Sequence, residues 1–342
     1  AKVETGRNYI EYDNANTLFK EQFGLSSDKY SLIAEGIYEK GFTYGSLKFG
    51  AKHIQSFTKQ EVQQNGVFKS DLNQMETSVF SEWNHSKDKF SCSLGLKANR
   101  VHFSNISINK SYYNFLPKAM LGYRLNENSF IRYDVEMSQT NPTLVELTDT
   151  EIRLDPYLAE RGNLLLKPYS NLNNNLFYEH KKGLFTFNAN LRHHYKHNPI
   201  MESVKEQGNI FLIIPENMKS WNKYNAEMNL KVGMIKNILQ FSLTGGYNHF
   251  NSQGNNYSHE YSNFYYSANV LAMYKKWMFI VQIQPFDEKL YGETVIKSGN
   301  YHYLAIQYNT DNFSFGIGAF NPFKNVSRTV IENKNNQAPF RR

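Results

Sequence analysis

The sequence predicts an all-β protein, a transmembrane antiparallel up-and-down β-barrel, and three observations predict it. Apolar and polar residues alternate with a period of two in segment after segment. Short and long connections alternate along the chain. Aromatic residues make up 15% of the 342 residues (24 Tyr, 25 Phe and 3 Trp), yet mean hydropathy is only −0.60. Many rings in an otherwise polar chain suit a wall with one face in lipid and one in water, with Tyr and Trp at the boundaries.

The alternation marks the strands. In Phe90–Ala98 every even position is apolar and every odd one is small or polar. In Ile131–Met137, Arg132, Asp134 and Glu136 lie on the face opposite Ile131, Tyr133, Val135 and Met137. Phe185–Leu191, Tyr224–Val232, Leu239–Tyr247, Phe264–Val270 and Phe313–Ala319 repeat the pattern. Strict alternation over seven or so residues argues for strands with two different faces, and no stretch has a comparable helical period. The longest apolar runs, Ile210–Ile214 and Trp277–Val281, fall far short of the roughly 20 residues a membrane-spanning helix needs. A chain like this crosses a bilayer only as a barrel, which satisfies every backbone group between strands.

Short turns fall near Lys40-Gly41, Ser86-Lys87, Asn126-Glu127, Lys181-Lys182-Gly183, Ile235-Lys236, Lys275-Lys276 and Asp311-Asn312. Longer polar segments separate them at 54–70, 100–114, 139–171, 197–222, 250–262 and 285–299. Tight periplasmic turns and long extracellular loops produce this asymmetry. Strands flanking these turns number about fourteen, or fifteen if Asn8–Tyr12 is one, within the range of such barrels. After Phe313–Ala319, residues 321–342 read as an extracellular loop with no return strand. The expectation is therefore a single barrel domain over 1–342, incomplete at both ends, lacking its last strand and any plug.

Other classes are less well served. Ala1-Lys2-Val3-Glu4 does not begin a signal peptide. One cysteine, Cys92, excludes a disulfide framework and a Cys-based metal cluster. The formal charge of +7 is scattered, its densest groups lying at turns or the chain end, so solvated turns rather than nucleic-acid binding are expected.

Residues 113–180 carry a more specific signal. Asn114–Leu125 precedes a short turn and Phe130–Tyr133. Ser138-Gln-Thr-Asn-Pro-Thr-Leu-Val-Glu-Leu147 and Arg161-Gly-Asn-Leu-Leu-Leu-Lys-Pro168 follow. This order resembles the C-terminal barrel of TonB-dependent receptors, especially the Bacteroidetes outer-membrane β-barrel family. In that family a strand, a polar-Pro segment ending in Leu and a Gly-Asn-Pro-x-Leu-Lys-Pro stretch follow one another. Leu164 replaces the usual Pro, and Asn141 stands where Arg is common; Phe320-Asn-Pro-Phe323 resembles the family's segment before its final loop. The resemblance implies a bacterial outer-membrane barrel of 22 strands in contact with membrane lipid. It also implies an N-terminal plug that contacts TonB. Neither plug nor TonB box is visible in this sequence.

Candidate ligand-binding residues follow from both readings. Arg132, Asp134 and Glu136 share a face, as a lumen surface guiding a solute or docking a plug, or as a self-compensating charge ladder. The segment 139–171 is the longest connection, and its Asn141, Pro142, Gly162 and Asn163 either bind ligand or shape the loop. His193 and His197 would be neighbours on a helix but on a strand lie roughly 13 Å apart, too far to chelate one ion. Neither a metal, a cofactor nor a catalytic residue is expected, since the P-loop, Gly-x-Ser-x-Gly and His-Glu-x-x-His patterns are missing. Tyr265-Tyr266, Trp277 and Trp83 read as an interface girdle, with a carbohydrate platform as the alternative, and Cys92 as an inert lipid-facing thiol. The leading function is an outer-membrane receptor-transporter for a solute, glycan or peptide, not an enzyme. The alternatives are a non-transporting scaffold or adhesion barrel and a soluble secreted glycan-binding β-protein.

Overall fold

Residues 2–3, 7–14, 17–63, 67–106, 108–236, 238–284, 288–297, 301–322 and 330–334 are described by the computed structural model of the chain. Every regular element among them is a strand. The wall consists of β1 (Lys2–Val3), β2 (Arg7–Asn14), β3 (Thr17–Phe42), β4 (Gly45–Gln63), β5 (Val67–Lys87), β6 (Phe90–Ser104), β7 (Asn109–Asn126) and β8 (Ser129–Thr140). It continues past two short loop strands, β9 (Glu151–Asp155) and β10 (Leu158–Arg161), into β11 (Tyr169–Lys182) and β12 (Phe185–His197). A second loop hairpin, β13 (Ile200–Gln207) and β14 (Ile210–Asn217), precedes β15 (Ser220–Ile235), β16 (Leu239–Gln253), β17 (Ser258–Tyr274) and β18 (Trp277–Gln284). The third hairpin, β19 (Glu288–Tyr291) and β20 (Thr294–Lys297), comes before β21 (Tyr301–Asn309), β22 (Ser314–Phe320) and β23 (Val330–Asn333).

The wall is one 16-stranded sheet in which each strand from β3 to β22 pairs with its neighbour along the chain, loop strands excepted. β1 and β2 both run along one edge of β3, so the expectation of fourteen or fifteen strands, with Asn8–Tyr12 among them, agrees with the fold. All its pairings are antiparallel. Among the described residues the two end strands of the sheet do not pair with each other.

Register carries the amphipathic pattern from strand to strand. Phe187, Leu230, Leu243, Ala268 and Ile283 form one cross-strand row. The adjacent polar row runs Asn188, Asn229, Thr244, Ser267. A slip of one residue would exchange these rows, and charged groups would enter lipid at a cost of about 2–4 kcal/mol each near the midplane. The apolar rows point outward: Leu32 is 68% exposed, Phe264 83% and Ile317 69%. The polar rows lie on the opposite, interior face, the one onto which the extracellular loops fold.

The short turns all lie at one end, at 43–44, 88–89, 127–128, 183–184, 275–276 and 310–313 and beside Lys236. Asp88, Gly183, Lys236 and Lys275 adopt positive φ there, as tight hairpins require. The first two turns sit three and two residues beyond the predicted Lys40-Gly41 and Ser86-Lys87, respectively.

At the other end the predicted loops need correction. Most of 54–70, 100–114 and 250–262 is strand: β4 extends to Gln63 and β5 begins at Val67, β6 extends to Ser104 and β7 begins at Asn109, and β16 and β17 leave only 254–257 between them. Above the bilayer the outer face of a strand meets water and the inner face meets the folded loops, as at Val101, Phe103 and Phe250, so the alternation fades while the ladder continues. The long connections 141–168 and 198–219 are loops as predicted, and each carries its own hairpin, as do the described residues 288–297 of the third. Of the predicted terminal loop, 323–329 and 335–342 lie outside the described residues, as do 285–287 and 298–300.

The loop strands form a cap. β13, β14, β10 and β9 make a four-stranded sheet joining two loops distant in sequence through a parallel β10–β14 pair. β19, β20 and β23 make a second, three-stranded sheet. Beneath the first lies a core of Leu72, Val101, Phe103, Ile108, Leu144, Leu147, Leu166 and Ile200. Beneath the second lie Met201, Met218, Trp221, Phe250, Leu290 and Val295. Leu72, Val101, Phe103, Trp221 and Phe250 come from interior positions of wall strands, so the cap is anchored inside the mouth. Each fully buried large side chain contributes about 1.5–3 kcal/mol to that anchoring.

Candidate functional site

Two surfaces are built for contact with something other than lipid: the interior wall and the extracellular cap. On the wall, the row Glu227–Gly246–Tyr265 shows how sequence and chemistry combine. A Cβ at position 246 would meet the Tyr265 ring, so only glycine lets that ring lie flat across the strand. The Tyr265 hydroxyl then donates to Glu227 Oε2 at 2.7 Å. Arg192 closes on the same carboxylate at 3.2 Å and donates to Asn225 Oδ1 at 3.3 Å. Asn225 in turn donates to Asn248 Oδ1 and to the Tyr265 oxygen, both at 2.9 Å. This network lines an interior cavity of about 690 Å³ with Asn173, Asn175 and Thr244. Its groups largely satisfy one another, which rigidifies the wall.

The predicted charge ladder is present. Arg132 Nε contacts Asp134 Oδ2 at 2.9 Å, the guanidinium lies 5.5 Å from the Phe177 ring, and Asn175 donates to Asp134 at 3.4 Å. Arg132 and Asp134 therefore mainly compensate each other. Glu136 differs: Lys118, opposite it in register, pairs instead with Glu82. Glu136 and Asn141 both line a polar interior cavity, and Glu136 has no ion pair among the described residues. Asn141 Oδ1 is buried without a hydrogen-bond partner.

The loop candidates shape the cap. Pro142 is buried. It leads into a tight turn in which Thr143 and Glu146 cap each other: Thr143 N donates to Glu146 Oε2 at 2.7 Å and Glu146 N to Thr143 Oγ1 at 3.3 Å. Gly162 packs against that turn, where a Cβ would collide with the carbonyls of Thr148, Val145 and Glu146. Asn163 stitches the loops together, its N–H donating to Glu146 O at 2.6 Å and its amide to Pro215 O at 3.1 Å. Asn217 bridges the same loops by donating to Lys167 O and Asn198 O, each at 2.9 Å.

His193 and His197 lie on one strand, two pairs of residues apart, facing outward, while His194 faces the interior against Trp221 at 5.3 Å. Among the described residues no group of three His, Cys, Asp or Glu could hold a metal ion. Trp83 and Trp277 are exposed on the outer face near short turns, as a girdle requires, and Tyr266 is exposed outward. Tyr265 is a correction: it faces the interior and belongs to the Glu227 network, because adjacent residues of a strand point to opposite sides. Cys92 sits in the outward register between Phe90 and Leu94 but is only 6% exposed, so its neighbours cover it.

Sequence reading missed the cap's inner lining. Trp221 Nε1 donates to Leu290 O at 2.8 Å and the Tyr291 hydroxyl to Ile200 O at 2.9 Å, pinning hairpin β19–β20 to the barrel mouth. Burial pushes the Tyr291 hydroxyl well above the usual tyrosine range, keeping it a donor. Lys196 sits 4.9 Å from the Trp221 ring and 4.8 Å from the Tyr291 ring. The available clue was Trp221 at a polar-face position of an alternating strand. A cavity of about 440 Å³ opens between the two cap sheets, lined by Leu158, Arg161, Met201, Ile213, Tyr291 and Ile296 among others.

An outward apolar face, a polar interior and a loop cap at one end define an outer-membrane β-barrel. The chain belongs to the outer membrane protein β-barrel family, whose model matches residues 5–340, and its location is the bacterial outer membrane. Solved structures share the fold at low identity. The copper transporter OprC has a TM-score of 0.66 at 9% identity, with 88% of this chain and 52% of that one covered. The siderophore receptor PirA from Pseudomonas aeruginosa has 0.59 at 12%, with 90% and 62% covered. The outer membrane transporter YddB from Escherichia coli has 0.62 at 11%, with 90% and 52% covered. The chain thus spans about half the length of the structures it matches. A sequence search of curated proteins returned no match.

Proposed function

We propose that this chain is the barrel wall of an uptake receptor, in which the extracellular cap captures a solute that then crosses the lumen. The observation that carries the reading is the cap itself. Three loop hairpins are folded into the mouth and enclose a cavity above a polar wall, instead of projecting as free loops. An adhesion barrel has no need to bury its loops inside its own lumen. Arg192, Glu227, Tyr265 and Glu136 offer a polar surface suited to a plug domain. The full protein on this reading carries that plug and draws on TonB for energy. The receptors and transporters among the structural neighbours support the reading by fold only.

The test compares solutes depleted from the medium by cells bearing the full-length protein. A second strain replaces residues 141–168 by a short Asn-Gly turn, and a third lacks TonB. Depletion of a solute only by the intact protein in TonB-positive cells supports uptake. Identical depletion profiles in all strains, with the barrel showing heat-modifiable gel mobility, would sink it in favour of the scaffold reading.

A further inference from the structure

The cavity between the cap sheets holds two polar groups that the fold itself leaves unanswered. One face of the four-stranded sheet supplies its floor through Ile152, Leu158, Val204 and Ile213, and Ile296 of the hairpin opposite supplies part of its roof. Arg161 lines this apolar space. Its register partner Glu151 is engaged by Arg153 at 3.3 Å, and the Arg161 guanidinium has no ion pair or hydrogen bond among the described residues. Gln60 enters from the interior face of β4. It is 5% exposed, lines the same cavity, and its Oε1 is buried without a partner.

Such groups are costly unless something completes them. A half-buried guanidinium without a counter-charge, and a buried amide oxygen without a donor, each lose solvation that folding does not restore. Three carboxylates also line the space, but they are occupied. Glu146 accepts from the Thr143 backbone and hydroxyl at 2.7 and 2.8 Å, while Glu160 and Glu202 hold partners of their own. Of the four charged side chains that line the space, Arg161 is the one left without a hydrogen-bond or ion-pair partner among the described residues. A guanidinium presents a planar fork of donors that suits a carboxylate or similar oxyanion bidentately.

We infer that this cavity binds an amphipathic oxyanion: an apolar body on the sheet face, a carboxylate or equivalent group on Arg161, and an N–H or O–H donor on Gln60 Oε1. The inference deepens the reading of the cap as a capture surface and rests on it. Neutral glycans, which lack an anionic group, and bare cations are not the primary ligands of this cavity on this inference.

The test uses the purified protein in detergent micelles and three probes, followed by saturation-transfer NMR with titration. N-acetylphenylalaninate carries all three features, N-acetylphenylalanine amide lacks the charge, and 3-phenylpropionate lacks the N–H. The acid is expected to bind about tenfold or more tightly than the amide. Arg161→Gln removes that preference, Arg161→Lys keeps part of it, and Gln60→Leu removes the advantage of N-acetylphenylalaninate over 3-phenylpropionate. Heat-modifiable mobility verifies that each variant is folded, and the lysine variant decides the matter if the glutamine variant is not. Equal binding of acid and amide, a preference that survives Arg161→Gln, or no binding of any probe at millimolar concentration would overturn the assignment. Any of these in a protein that still supports uptake would leave the transport reading standing, whereas loss of uptake dependence on the cap would remove both.

Discussion

Replacing Gly162 by alanine adds one methyl group where there is no room for it. The new Cβ would sit 2.6 Å from Val145 O and 2.7 Å from Glu146 O, and closer still to Thr148 O. All three acceptors are backbone, so no rotamer change relieves the clash. The turn that carries them is itself tied by Leu147 N to Thr143 O at 3.0 Å and by Thr148 Oγ1 to Leu144 O at 2.8 Å. Gly162 does not use positive φ, so the substitution isolates the steric effect from backbone strain. Overpacking of this kind costs about 2 kcal/mol, which raises the open population of the loop roughly thirtyfold. The consequence is local, since β8 and β11 pair along their whole length independently of the loop. Limited proteolysis of the purified barrel should show cleavage within residues 141–168 accelerating by about that factor, with heat-modifiable mobility unchanged. Gly245→Ala is the control, because a Cβ there meets open space. Equal cleavage rates for wild type, Gly162→Ala and Gly245→Ala would refute the packing argument.

Two further outcomes test the face assignment and the cap. Leu191→Arg places a charge on the outward row and is expected to destabilise insertion by about 2–4 kcal/mol, whereas Asn190→Arg on the interior row costs far less; urea titration of protein folded into liposomes separates them, and equal costs would invert the faces. Trp221→Phe leaves Leu290 O without its donor and should weaken the β19–β20 anchor by about 1–3 kcal/mol, read as faster hydrogen exchange across residues 288–297 with exchange in β6 unaffected.

Legibility in the sequence depended on what surrounds each strand. Where lipid lies outside and water inside, a strand such as Phe185–Leu191 must alternate, and the pattern alone located it, its turn and its two faces. Gln55–Gln63 escaped because no lipid lies outside there and the inward residues covered by the loops, Ser56 and Gln60, are polar, so the same hydrogen-bonded ladder continues without a pattern. Arg132 and Asp134 were placed on one face by parity, but that they neutralise each other while Glu136 stays unpaired depends on Lys118 turning to Glu82, a choice made across strands. Gly162 and Asn163 were singled out through their resemblance to a family stretch, and their role in joining two loops needs Pro215 and Glu146, which come from elsewhere in the chain.

By itself the sequence determined a two-faced, all-β wall with tight turns at one end, because a period-two pattern is a local property of a chain lying between lipid and water. It also determined membership of an outer-membrane barrel family through the 113–180 stretch. Only the tertiary structure decided that the loops fold inward as a cap, that β10 meets β14 in parallel across about fifty residues of chain, and that Arg161 and Gln60 share one cavity. Those pairings join residues far apart in sequence, and no local period records which distant strand a loop will meet.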